Sequence, residues 1–216
     1  MAGSLSAAER RVLDAQFAAI RQLDVGRLIA PAERWRHTIK DLGPGAYFRL
    51  DNRTYRVEES NSYRETSEDH TRVYEDEAWT ELRIFCLESG ETRYLEWEED
   101  DAVEASITVR ALEFRDVRDD AGAAVDEDDL DTIVEEEDSL FLDGREFVYD
   151  DDYAAVFERA GKSEFAYFYD FVSADGDWLT IEEWTDPAQP GREEYTLWLS
   201  RSVAPDAIEV LVPAEG

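Results

Sequence analysis

Apolar residues recur at helical spacing near the start of the chain, and a shorter set, Leu130, Ile133 and Val134, could support a helical turn within the acidic segment 116–138. Five residues near the start share this spacing: Val12, Leu13, Phe17, Ile20 and Leu23. A repeat of three to four residues places such side chains along one side of a helix. Ser6 followed by Glu9 is a capping-box pattern, in which each side chain serves the backbone amide of the other residue. We therefore predict a helix from about Ser6 to Leu23, and a second short helix from Pro31 to Lys40.

From Ala46 onward the pattern changes to short stretches rich in aromatic and β-branched residues, which predict strands. These stretches cover 46–50, 54–59, 71–75, 79–87, 92–97, 106–114, 140–142, 146–149, 153–158, 164–173, 178–184, 194–200 and 208–212. Tight turns are predicted where residues that tolerate positive φ separate them, at Asp51-Asn52, Ser89-Gly90, Asp143-Gly144 and Asp175-Gly176. So many short strands favour an antiparallel barrel or sandwich over an α/β fold.

The two strand-rich parts of the chain resemble each other. Three pairs of segments match in the same order: 50–55 with 142–147, 79–86 with 165–172, and 94–99 with 178–183. We predict a mainly β fold with N-terminal helices and two related antiparallel β modules that arose by internal duplication. The alternative is coincidence, because Asp-Gly turns and paired glutamates are common in this chain. The predicted organisation is a basic helical segment (1–42), β module 1 (43–115), an acidic linker (116–138) and β module 2 (139–216).

This layout resembles the domain-of-unknown-function family numbered 4178. The resemblance rests on Gly43-Pro44-Gly45, Leu50, Tyr55-Arg56-Val57, Trp79-Thr80-Glu81-Leu82 and Tyr94-Leu95-Glu96, and the second half repeats the later part with Trp178-Leu179 and Ile181-Glu182. Leu82 stands where the family prefers Tyr, and Phe165 stands where a second Trp is expected. The resemblance covers about residues 43–212 and implies a β-rich protein without known catalytic residues. It also implies an association with membrane-stress systems that contain coat proteins of the phage-shock type and polyamine-synthase-like proteins.

The chain has a large excess of acidic residues, which is its most distinctive property in sequence. Asp and Glu number 54 against 22 Lys and Arg, which gives a formal net charge of −32. Such a surface repels itself in ordinary buffer, but the screening length falls to about 3 Å near 1 M salt. We interpret the composition as that of a haloarchaeal-type, halophilic protein in a salt-rich cytoplasm, and an acidic surface for a basic partner is the alternative. Residues 1–40 differ, because four acidic and seven basic residues give them a net charge of +3.

Catalytic chemistry is not indicated by any motif. His37 and His70 have no cysteine or second histidine at metal-ligand spacing, and Cys86 lies in an apolar stretch typical of a buried residue. The acidic runs 126–129 and 150–152 are interpreted as solvated surface, because they lack the pattern of a calcium loop. We expect no enzyme, cofactor, metal site or nucleic-acid partner. We also expect neither a secretory signal nor a membrane span, and hence a cytoplasmic protein.

Two sets of residues are candidates for binding. The first is Arg10, Arg11, Phe17 and Arg21 on the predicted helix, which we propose as a contact to a protein partner or a membrane. The alternative, which we favour, is that this helix caps the β core and pairs its arginines with the acidic body. The second set is Trp79, Trp97, Trp178 and Trp184, which would line a ligand pocket, although the core is the commoner place for such residues. The function expected first is a non-enzymatic adaptor, tied to a membrane-associated or membrane-stress assembly. The alternative is a β-barrel that binds a lipid or a polyamine.

Overall fold

A computed structural model describes residues 5–159, 162–185 and 193–215 of the chain. These residues form two α-helices, twelve strands and short 3-10 helices. The helices are α1 (Ala7–Gln22) and α2 (Leu130–Glu136). The strands are β1 (Tyr47–Leu50), β2 (Arg53–Thr66), β3 (Val73–Cys86), β4 (Thr92–Glu99), β5 (Val103–Leu112), β6 (Val117–Arg118), β7 (Leu140–Leu142), β8 (Arg145–Arg159), β9 (Lys162–Ser173), β10 (Asp177–Thr185), β11 (Glu193–Ser202) and β12 (Glu209–Val212).

The predicted first helix is confirmed, together with its capping box. The Ser6 amide donates to Glu9 Oε2 at 2.6 Å, and the Glu9 amide donates to Ser6 Oγ at 3.2 Å. The predicted second helix is instead a pair of 3-10 helices, Pro31–Arg36 and Ile39–Asp41. The Thr38 hydroxyl between them accepts the Lys40 amide, so the chain begins a new capped turn there.

Several predicted strands are longer in the structure. The stretches 71–75 and 79–87 belong to the single strand β3, and 146–149 and 153–158 belong to β8. Exposed acidic residues break the sequence pattern in the middle of each, at Glu75–Glu77 in β3 and at Asp150 and Asp151 in β8. Pairing of the residues on either side, such as Val73 with Thr66 and Tyr149 with Phe171, continues the strands past these residues of low strand propensity. A register shift between Tyr149 and Asp151 accommodates the acidic run of β8.

The strands form one antiparallel sheet that closes on itself. Eight of them make a closed ring in the order β2-β3-β4-β5-β11-β10-β9-β8, because β8 pairs back onto β2. Strands β1 and β12 extend the sheet beyond β2, and β7 and β6 extend it beyond β8. The order β12-β1-β2-β3-β4-β5 in one half therefore matches β6-β7-β8-β9-β10-β11 in the other. Closing the ring pairs the strand edges that would otherwise be free.

Three apolar clusters hold these elements together. The first lies under β1, β12 and the N-terminal segment, and includes Phe48 and Val210. The second lies against α2 and includes Phe147. The third lies inside the ring around Tyr63 and Phe168. The segment interpreted as an acidic linker contributes to the second cluster through Val117, Val125, Leu130 and Ile133.

Helix α1 packs on the sheet by one narrow side. The Tyr47 hydroxyl on β1 donates to the Ala19 carbonyl oxygen at 2.6 Å, and Ala19 is the buried residue of the helix. Within the described residues, no helix is both long enough and apolar enough to cross a lipid bilayer.

Candidate functional site

A cavity of about 610 Å³ lies where strand β4 ends and strands β5 and β10 begin. Its aromatic lining consists of Trp79, Trp97, Tyr153 and Trp178. Its acidic lining consists of Glu65, Glu77, Glu96, Glu98, Glu104, Asp150, Asp151 and Asp170. Several of these acids, including Glu98 and Glu104, are exposed, so the outer part of the cavity reaches solvent. Neither a lysine nor an arginine is among the described residues that line it.

A smaller chamber of about 40 Å³ continues the cavity into the ring interior. It shares Trp79, Glu96, Tyr153, Asp170 and Thr180 with the larger space. Strand alternation explains this lining, because every second side chain of a strand points to the same face. Trp79 and Glu81 on β3, and Thr180 and Glu182 on β10, follow that period. The ring interior thus receives aromatic and acidic side chains from the same strands.

Two of the interior carboxyl groups are held alike in the two halves. Asn61 Nδ2 donates to Glu81 Oε1 at 2.8 Å, and the Tyr63 hydroxyl donates to Glu81 Oε2 at 3.4 Å. In the other half, the hydroxyls of Thr180 and Tyr153 donate to Asp170 at 2.6 and 3.1 Å. A tyrosine and a polar side chain therefore fix each carboxylate.

The two tyrosines also stack on corresponding aromatic rings. The rings of Tyr63 and Trp79 are 4.9 Å apart, and those of Tyr153 and Phe168 are 5.1 Å apart. Each tyrosine lies next to its aromatic partner across a pair of neighbouring strands. Through Trp79, Tyr153 and Phe168, these stacks place aromatic rings on the wall of the inner chamber.

The other two interior carboxyl groups, those of Glu182 and Glu96, differ in the hydrogen bonds that they accept. Glu182 accepts hydrogen bonds from the Thr196 hydroxyl at 2.6 Å and from Trp184 Nε1 at 2.9 Å. Glu96, in contrast, forms no hydrogen bond and no ion pair within the described part of the chain. The buried indole N–H of Trp97 likewise has no hydrogen-bond partner among the described residues. Unpaired polar groups at a cavity wall are costly unless a bound molecule satisfies them.

Burial and mutual repulsion raise the pKa values of these groups. Burial raises the pKa of Asp170 to about 6 and that of Glu182 to about 7. The pKa of Glu96 is raised well above its usual range, first by burial and then by the negative charges of Glu81, Glu182 and Asp170. Only 7% of Glu81 and 5% of Glu182 is exposed. The interior is therefore an acidic space in which the described residues place no basic counter-ion beside the carboxyl groups.

Comparison with known protein families identifies one match. The family described as "Domain of unknown function (DUF4178)" matches residues 43–205. The chain belongs to the DUF4178 family. The match spans β1 to β11 and so includes every residue that lines the DUF4178 cavity, whereas α1 and β12 lie outside it. No curated protein and no solved structure matches the chain.

The predicted site residues fall in two separate places on this DUF4178 protein. Trp79, Trp97 and Trp178 line the cavity. Trp184 lies deeper in the ring, where its indole binds Glu182. The residues of the first set, Arg10, Arg11, Phe17 and Arg21, are all exposed on α1. Among the described residues, no group of three or more His, Cys, Asp or Glu side chains is placed to hold a metal ion.

The acidic residues of the site were missed at the level of sequence. In a chain with 54 Asp and Glu, no single carboxyl group stands out. Alternation within a strand would have revealed them, because an acidic residue two positions from an inward-facing aromatic residue points to the same side of the sheet. This pattern occurs in three pairs: Trp79 with Glu81, Phe168 with Asp170, and Glu182 with Trp184. The fourth carboxyl group belongs to Glu96, which lies opposite Glu81 on the neighbouring strand.

Proposed function

We propose that this DUF4178 protein binds a small organic cation in the cavity of its ring, with polyamines among the compounds that fit. The observation that carries the proposal is Glu96, a carboxyl group without a partner within the described residues, facing three further carboxyl groups at the inner end of an aromatic-walled cavity. A charge in such surroundings is stabilised when a cation pairs with it. An ammonium group supplies both the charge and the hydrogen-bond donors that Glu96 lacks.

The aromatic walls favour an organic cation over a hydrated inorganic one. Trp79, Trp178 and Tyr153 line the space beside the carboxyl groups. Cations bind the faces of such rings with about 0.5–2 kcal/mol, and alkyl chains gain further free energy from contact with them. The volume of about 610 Å³ also suits a small molecule, since ligand sites measure roughly 300–1,000 Å³.

The proposal is tested with two probes that differ only in charge, 1,8-diaminooctane and 1,8-octanediol. We expect the diamine to bind, and to give saturable heat in isothermal titration calorimetry with the full chain, because its ammonium groups pair with the interior carboxylates. The diol has the same length and apolar surface, and we expect it not to bind. Equal binding of both probes, or binding of neither, contradicts the proposal. A magnesium titration serves as a further control, because a preference for Mg²⁺ over the diamine would also contradict it.

A second candidate function is the non-enzymatic adaptor. The observation that favours it is the set of exposed apolar residues on α1, a helix that lies outside the part of the chain matched by the family. In either role the protein acts by binding, and we propose that it does so in the cytoplasm.

We further propose that the chain is adapted to molar salt, which its net charge of −32 and its two lysines support. The free energy of unfolding should then rise steeply between roughly 0.15 M and 3 M KCl, because the screening length falls from about 8 Å to below 3 Å over that range. Chemical denaturation at each salt concentration measures this dependence. Sucrose is the control, since it stabilises proteins by exclusion without screening charges. A flat response to KCl contradicts the proposal.

We also infer that the two halves arose by duplication. The equal strand order and the two Tyr-aromatic-carboxylate sets support this origin. Relatives that retain both sets together would support it further, and relatives that retain a set in one half alone would speak against it.

A further inference from the structure

The exposed surface of α1 carries three apolar residues that are spaced three and four positions apart. Leu13, Phe17 and Ile20 expose 37%, 55% and 51% of their surface. Positions three and four residues apart are neighbours on a helix surface, so these side chains form one continuous strip, here called the α1 ridge. Large apolar residues gathered on an exposed surface mark a place where another molecule binds.

The other side of α1 is fastened to the sheet, which holds the ridge outward. Tyr47 anchors the Ala19 carbonyl, and Gln16 Nε2 donates to the Leu87 carbonyl oxygen at 2.9 Å. The packing there is tight, because a Cβ atom on Gly90 would lie 2.3 Å from Val12 Cγ1. The helix is thus oriented by its contacts, and the ridge points away from the body of the protein.

The arginines of α1 differ from the basic residues that follow it. Basic residues after the helix are bound to the acidic body: Arg27 to Glu215, Arg34 to Glu209 and Lys40 to Glu99. Within the described residues, Arg10, Arg11 and Arg21 form no ion pair. By helical spacing, Arg10 and Arg21 flank the ridge. The expectation that the body neutralises the helix arginines thus has no support from the described ion pairs.

We propose that the α1 ridge docks on the surface of an anionic lipid bilayer. A helix that lies in the bilayer interface has apolar residues on one side and arginines beside them, as α1 does. Helix α1 carries three basic residues (Arg10, Arg11 and Arg21) and two acidic ones (Glu9 and Asp14), a net charge of +1, whereas residues 41–216 carry −35, so the helix is the part of the described surface that is complementary to anionic lipid. Molar salt screens the longer-range repulsion between the acidic body and the lipid, whereas it leaves the insertion of Phe17 and Ile20 intact and weakens direct contacts between the helix arginines and lipid headgroups less than it weakens that repulsion. This proposal does not depend on cation binding in the ring.

The test is flotation of the full chain with vesicles in about 1 M KCl, where charges beyond about 3 Å are screened. One set of vesicles contains phosphatidylglycerol mixed with phosphatidylcholine, and the other contains phosphatidylcholine alone. We expect binding to the anionic set. The double variant Phe17→Ser, Ile20→Ser should lower the affinity by about tenfold or more, because it removes the two most exposed side chains of the ridge. The control is Val148→Ser, which removes an apolar side chain of β8 that is 48% exposed and should leave binding unchanged.

A second variant separates the contribution of the arginines from that of the apolar side chains. Arg10→Gln with Arg21→Gln should remove the preference for phosphatidylglycerol, since only the charges beside the ridge change. Three results would overturn the proposal: no flotation of the parent chain, equal loss in the Val148→Ser control, or a dimer in light scattering that the double serine variant dissociates. The last result would make the ridge an interface between two copies. Thermal unfolding of each variant verifies that the fold is retained.

Discussion

Replacing Glu96 with glutamine strongly weakens diamine binding and makes the unliganded protein more stable. The substitution keeps the shape of the side chain but removes an ionisable carboxyl group that is buried and lacks a hydrogen-bond or ion-pair partner within the described residues. Repulsion from Glu81, Glu182 and Asp170 then falls as well. We expect the affinity for 1,8-diaminooctane to drop by about a hundredfold, in line with the cost of about 3 kcal/mol or more for removing one partner of a buried ion pair. We expect the unfolding temperature to rise by several degrees, since about 1 kcal/mol corresponds to about 2–4 °C in a protein of this size.

Glu146→Gln is the matched control for this experiment. Glu146 is an exposed carboxylate on β8 that does not line the cavity. Its replacement removes the same charge from the chain and should leave both the affinity and the unfolding temperature nearly unchanged. The account of the site is wrong if Glu96→Gln binds the diamine as well as the parent chain, or if it lowers the unfolding temperature as a lost structural contact would.

Acidification weakens diamine binding and stabilises the unliganded fold. The pKa of Asp170 is raised to about 6 and that of Glu182 to about 7, so both lose their charge between pH 8 and 5. Protonation removes the negative charge that attracts the ligand, and we expect the affinity to fall by at least about tenfold over this interval. Calorimetric titrations at several pH values measure this dependence, and an affinity that is constant or rises toward pH 5 contradicts it.

The effect on stability has the opposite sign. A carboxyl group whose pKa is higher in the folded than in the unfolded state binds more protons when folded. These groups therefore add stability at low pH, and that stability is lost as the pH rises from about 4 to about 7. Each raised pKa corresponds to about 3 kcal/mol at about 1.4 kcal/mol per pKa unit, and the two groups are not independent.

Glu182→Gln isolates this contribution from that of the acidic surface. The glutamine oxygen still accepts hydrogen bonds from Thr196 and Trp184, so these two contacts of the ring interior are kept. Denaturant unfolding of the parent and the variant between pH 5 and pH 8, the interval around the two raised pKa values, gives the difference in their slopes. We expect the parent to lose stability more steeply as the pH rises. Parallel curves would show that Glu182 does not titrate in this range.

Local signals in the sequence predict most of the elements of this fold. The Ser6 and Glu9 capping box marks the start of α1, and the Asp143-Gly144 turn has the positive φ angles expected of it. Acidic residues conceal the length of β3 and β8, because pairing of the flanking residues, not propensity, continues the strands through Glu75 and Asp150. The closure of the ring is a contact between β2 and β8, strands far apart in sequence, and no local pattern reports it.

The candidate site was predicted only through its aromatic part. Trp79, Trp97 and Trp178 stand out by size and rarity, and they line the cavity. The carboxyl groups that give the cavity its chemistry look the same in sequence as the solvated ones. Glu96 and Glu98 point to the same face of β4, and what distinguishes them is depth, because Glu98 is exposed near the strand end whereas Glu96 reaches the inner chamber of the closed ring.

The most direct test of cation binding in the ring is a crystal structure of the full chain with 1,8-diaminooctane, grown at high salt. The account predicts one terminal nitrogen within about 3 Å of a Glu96 carboxylate oxygen, a normal hydrogen-bond distance. It also predicts that the alkyl chain lies against Trp79 and Tyr153 and points toward the acidic outer part of the cavity. A diamine bound elsewhere on the surface, with only water beside Glu96, would contradict the account.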